Sequence, residues 1–94
     1  MGAMTTEAPT HLDIDRSLIG KLDLGSCQVP HVFLENAPFV HTHLRVDDVE
    51  YVYDRSYPIR GSSAVMPGEV AELLQKGRKV LVAERNERYY VYLA

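Results

Sequence analysis

The sequence predicts an α+β domain: a small, mostly antiparallel sheet of two hairpins plus an edge strand, with one or two helices packed on one face. Three observations carry that expectation. Two stretches of alternating apolar and polar residues each fold back across a short polar turn, one stretch between them bears every local signal of a helix, and 94 residues leave room for a single core.

Met1 to Ala3 ahead of Met4 read as an expression-tag remnant, and Thr5 to Thr10 lack apolar periodicity. Residues 1–10 are therefore expected to be disordered and 11–94 to form one domain. From Asp13, the apolar residues Ile14, Leu18, Ile19 and Leu22 recur at helical spacing, with Asp13 or Asp15 as cap and Gly25 as stop. The competing reading is two short strands, since Leu12 to Asp15 and Lys21 to Leu24 also alternate. Gln28 to Leu34 reads as an edge strand, because Pro30 removes a ladder donor, and it ends at the turn Glu35 to Pro38.

Phe39 to Val46, then Asp47-Asp48, then Val49 to Asp54 form the clearer hairpin. A two-residue turn at the aspartates sets Val46 against Val49, Leu44 against Tyr51 and Thr42 against Tyr53 on the core face. The outer face then pairs Arg45 with Glu50, His43 with Val52 and His41 with Asp54, and the complementary charges support that register. Tyr57 to Ser63 breaks regular structure. A helix follows: Pro67 opens it, Val70, Leu73 and Leu74 make its apolar stripe, Lys76 lies in the last turn, and Gly77 supplies the left-handed stop. Lys79 to Glu84, the turn Arg85 to Arg88, and Tyr89 to Leu93 form the second hairpin, with Val82 facing Val91 and Leu81 facing Tyr92.

Charge and composition narrow the function classes. Residues 1–75 carry a net −6 and residues 76–94 a net +3, so the whole chain repels polyanions at long range and only its C-terminal end suits an anion. One cysteine, Cys27, allows no internal disulfide, and no apolar run approaches the ~20 residues of a membrane span. A soluble, cytoplasmic protein is the expectation.

Five readings of particular side chains have chemical meaning. His41 and His43 project from one face of a strand with Asp54 opposite, a first shell for zinc or another divalent ion; the competing reading is a solvated outer face. The same His41, oriented by Asp54 and next to Ser56 or Thr42, would serve as a general base, but no nucleophile-elbow or oxyanion-hole motif accompanies it. Gly61-Ser62-Ser63 ahead of the helix offers backbone N–H groups to an anion, without the lysine of a phosphate loop. Tyr89, Tyr90 and Tyr92 with Arg85 and Arg88 are the residue types enriched in protein interfaces, although tyrosine is also simply a good strand former. The same hairpin with Arg78 and Lys79 could stack single-stranded bases, which the net acidity disfavours.

The expected function is therefore a small non-catalytic interaction or regulatory domain, its partner a protein and in the first instance a second copy of itself, meeting through the tyrosine-bearing sheet. It needs no cofactor. The alternatives are a divalent-metal-binding or small enzymatic domain built on His41, His43 and Asp54, and single-stranded nucleic-acid binding through the basic hairpin.

Overall fold

A computed structural model of the chain describes residues 11–25, 27–34, 41–59 and 65–94. Its elements in chain order are β1 (His11–Asp13), a 3-10 turn (Arg16–Leu18), β2 (Gly20–Asp23), β3 (Gln28–Phe33), β4 (His43–Val46), β5 (Val49–Pro58), α1 (Val65–Gln75), β6 (Val80–Arg85) and β7 (Arg88–Leu93). All seven strands join one sheet in the order β1-β4-β5-β7-β6-β3-β2. The expected small sheet of two hairpins is thereby corrected: the described residues form three hairpins, β1 and β3 add parallel pairings to β4 and β6, and one α-helix among them packs on the sheet.

Both predicted hairpins have their expected registers. Asp47 and Asp48 take φ of 50° and 67°, and Asn86 and Glu87 take 52° and 59°, so each hairpin closes on a two-residue turn with both central residues left-handed, the geometry that matches strand twist. Val46 faces Val49, Leu44 faces Tyr51, Val82 faces Val91 and Leu81 faces Tyr92. Helix α1 ends as its sequence dictates. Gly77, at φ 81°, donates to the Leu74 carbonyl, and Arg78 donates to that of Leu73, the paired bonds of a glycine-terminated helix.

Three local readings change. Residues 13–23 are not a helix: Asp15 caps only one 3-10 turn, accepting the Ser17 N–H at 3.0 Å, which holds its carboxyl below the usual range, and strands flank that turn. Leu18, assigned to the helix stripe, is 66% exposed. Nor is β3 an edge strand, since β2 lies on one side and β6 on the other. Leu24 donates to the Cys27 carbonyl, so pairs in step with Leu24 and Cys27 are hydrogen-bonded and Pro30, opposite Lys21, falls in a non-bonded pair; pairing to β6 begins only at His31. The missing proline N–H is therefore not needed on either side. Finally, β5 continues through Pro58 because a bulge at Asp54 realigns it: Tyr53 pairs with Tyr92, but Arg55 pairs with Val91. The extra residue exchanges the faces, so Tyr51 and Tyr53 point to one side while Arg55 and Tyr57 reach Glu69 on the helix side. The predicted turn at Glu35 to Pro38, the Gly61-Ser62-Ser63 connector and the N-terminal ten residues lie outside the described residues.

The order of strands also forces the sheet to curl. Its two edges, β1 and β2, are consecutive in the chain. Seven flat strands spaced about 4.8 Å apart would separate these edges by roughly 29 Å, whereas the seven residue steps from Asp13 to Gly20 reach at most about 25 Å even when fully extended. The sheet therefore wraps around one cluster, with Ile14, Val32, Leu44, Val46, Leu81, Ala83 and Tyr92 buried in it. On the opposite face, Met66 and Val70 of α1 pack on Val29, Val80, Val82, Val91 and Leu93. Strand β6 is buried on both faces, which explains its unbroken apolar run Val80 to Ala83.

Candidate metal centre

Helix α1 covers the β3, β6 and β7 side of its face, and the outer surface of β1, β4 and the first half of β5 carries His11, His43, Arg45 and Glu50 alongside Val52. Three potential ligands converge there. The parallel register sets His11 opposite His43, and the β4–β5 register sets Glu50 opposite Arg45, diagonal to His43 on the same face. The two imidazoles stack with centroids 4.6 Å apart. Glu50 Oε2 lies 2.7 Å from His11 Nε2 and 3.7 Å from His43 Nε2, and the donor atoms of all three residues fall within 4.8 Å of one another.

Two imidazole nitrogens and a carboxylate oxygen are the donor set of three-ligand zinc sites and of related divalent centres that keep a coordination position open. Bonds of about 2.0–2.2 Å to such an ion require these donors to draw in around a common centre, and the exposed His11 and Glu50 side chains are free to do so. His43 is the more fixed ligand: its side chain is 20% exposed, and Thr42 Oγ1 lies 2.8 Å from its Nδ1, leaving Nε2 to face Glu50. A partner on the second ring nitrogen is what orients a metal-bound histidine. Next to the set, Arg45 Nε stands 4.0 Å from Asp13 Oδ1.

Of the triad read from the sequence, His43, His41 and Asp54, the structure brings His43 alone into this cluster. His41 precedes β4 and is buried, its carbonyl accepting the Tyr92 hydroxyl at 2.5 Å, while Asp54 is the bulge residue and pairs with Arg55. Glu50 was within reach of the hairpin register, which already set it on the histidine face; His11 was not, because nothing local announces a parallel pairing between β1 and β4. The acid–base alternative loses its geometry in the same way, since Ser56 Oγ accepts from Arg88 and Thr42 Oγ1 is engaged with His43.

The remaining named residues are distributed through the core and its margins. Tyr92 is fully buried, so it offers no contact surface on this chain, and its burial pushes the hydroxyl well above the ordinary phenol range. Tyr90 packs at the wrapped cluster, with Tyr53 6.1 Å from its ring and 5.8 Å from that of Tyr92. Tyr89 packs on the helix side, where burial and then Glu84 raise its hydroxyl. Arg85 and Arg88 close the β6–β7 turn, whereas Arg78 and Lys79 precede β6; a six-residue strand lies between the two groups. That is about 20 Å, so the four cations do not form one patch. His31 is buried edge-on to Phe33, its Nε2 3.0 Å from Glu84 Oε1.

Among the described residues no helix is long and apolar enough to cross a membrane. Comparison with known proteins gives no relative to lend an activity: no family model matches the chain, and neither a curated protein nor a solved structure matches it significantly.

Proposed function

We propose that this protein is a small divalent-metal-binding domain that holds an ion of the zinc class through His11, His43 and Glu50. One observation carries the reading: two imidazole Nε2 atoms from separate strands turn toward the same carboxylate oxygen, at 2.7 and 3.7 Å. Nitrogen donors favour zinc and its first-row neighbours over calcium or magnesium, which prefer oxygen. Three protein ligands leave a fourth position for water or for a donor from a partner, which joins this reading to the expected role as an interaction module.

Calorimetric titration with zinc tests it. One ion per chain is expected, with binding in His43→Ala and in Glu50→Gln weakened by at least the roughly 10- to 100-fold that loss of a mere orienting partner costs, and no change in His41→Ala. Unaltered binding in His43→Ala would overturn the assignment.

The second reading is self-association through the sheet, favoured by Tyr53, which is 37% exposed on β5. Sedimentation of the wild type and of Tyr53→Ala addresses it: a concentration-dependent dimer weakened by the substitution supports it, and a monomer at every concentration removes it.

A further inference from the structure

The cluster inside the curled sheet is left open where the chain crosses from β1 to β2. Strand β2 sets Lys21 on the cluster side of the sheet at this point, opposite Pro30 and out of step with Leu22, which joins the helix-side core, but the lysine side chain stays exposed. A cationic side chain cannot fill the apolar interior, and a cleft of about 310 Å³ results. Its floor is formed by the buried Val46 and Leu81, and its walls by Ile19, Pro30 and Tyr51. Arg16 and Lys21 stand at its rim, and no acidic side chain lines it. Arg16 is drawn to Asp47 at the β4–β5 turn, whereas Lys21 has no ion-pair partner among the described residues.

We propose that this cleft binds a small amphiphilic carboxylate, its apolar body against Val46 and Leu81 and its carboxylate on Lys21. The volume lies at the lower end of the roughly 300–1,000 Å³ of ligand sites, and the wall chemistry sets the class: an apolar floor continuous with the core accepts a hydrocarbon or aromatic body, and a cationic rim accepts an anion. The protein as a whole carries −3, so the head group is recruited locally, by Lys21 at the rim, rather than by the long-range field. The mouths of curled and closed sheets are recurrent sites for such ligands. None of these residues belongs to the proposed metal centre.

Titration of the full chain with decanoate, followed by backbone amide NMR, tests the proposal. Saturable shifts at residues 19–21, 46, 51 and 81 are expected, with affinity reduced about tenfold or more in Lys21→Glu and unchanged in Lys76→Glu, an exposed lysine at the end of α1 on the opposite face of the sheet. The amide spectrum of each variant also reports that it is folded. Equal affinity in Lys21→Glu, or non-saturating shifts centred on the exposed Leu18 and Phe33, would overturn it.

Discussion

His11 lies directly opposite His43 across the parallel β1–β4 pair, with the two rings stacked 4.6 Å apart. The relationship ties a three-residue edge strand to the hairpin behind it, and an ion held by both rings and Glu50 would strengthen that tie. Zinc is therefore expected to raise the unfolding midpoint, by about 2.7 kcal/mol in stability at a hundredfold excess over Kd, and to slow amide exchange at Ile14, whose N–H donates to the Arg45 carbonyl at 2.8 Å. Thermal unfolding and hydrogen exchange with and without zinc check this; His43→Ala should reduce both effects strongly.

Tyr92 makes the fold sensitive to alkali. Its hydroxyl ionises near pH 10.0 in an unfolded chain, while burial raises that value in the folded one. The contribution to stability is complete below pH 10.0 and is lost as pH rises through the folded value, because the unfolded chain releases the proton first. Denaturant midpoints measured from pH 8 to 11 should fall above about pH 10 in the wild type, and less steeply in Tyr92→Phe. The same variant should be about 1 kcal/mol less stable at neutral pH through loss of the bond to the His41 carbonyl.

Glu87 occupies the second left-handed position of the β6–β7 turn, at φ 59°, where a side chain other than glycine is strained by about 1 kcal/mol. Glu87→Gly completes the favoured Asn-Gly pair and is expected to stabilise by up to about 1 kcal/mol, read as a higher urea midpoint. The Glu87 carbonyl that accepts the Ile59 N–H is kept by the substitution.

Gly77→Ala should act in the opposite direction. Its φ of 81° terminates α1, and a Cβ there costs roughly 1 kcal/mol although no neighbouring atom obstructs it. The urea midpoint is expected to fall while the helical dichroism is retained.

How far the sequence carries can be traced residue by residue. The hairpin registers were legible because a two-residue turn fixes every cross-strand pair: Val46 with Val49 and Val82 with Val91 follow from the turn alone. Gly77 was legible as a stop because the left-handed position has few tenants. What joins separate segments was not. The pairing of His11 with His43 depends on loop closure between distant parts of the chain, and no propensity encodes it. The bulge at Asp54 is equally silent, since an inserted residue leaves an alternating pattern looking regular while exchanging the faces behind it; Asp54 left the candidate site for that reason. Ile14, Leu18 and Leu22 fit a helical period by coincidence in a segment too short to distinguish it from two strands.

The most direct test of the metal assignment is a zinc titration of the full chain followed through the four histidine side chains by heteronuclear NMR. The His11 and His43 ring signals are expected to move together and stop moving at one equivalent, while those of His31 and His41 stay in place. Movement of His41 with His43, or no movement of His11, would contradict the assignment.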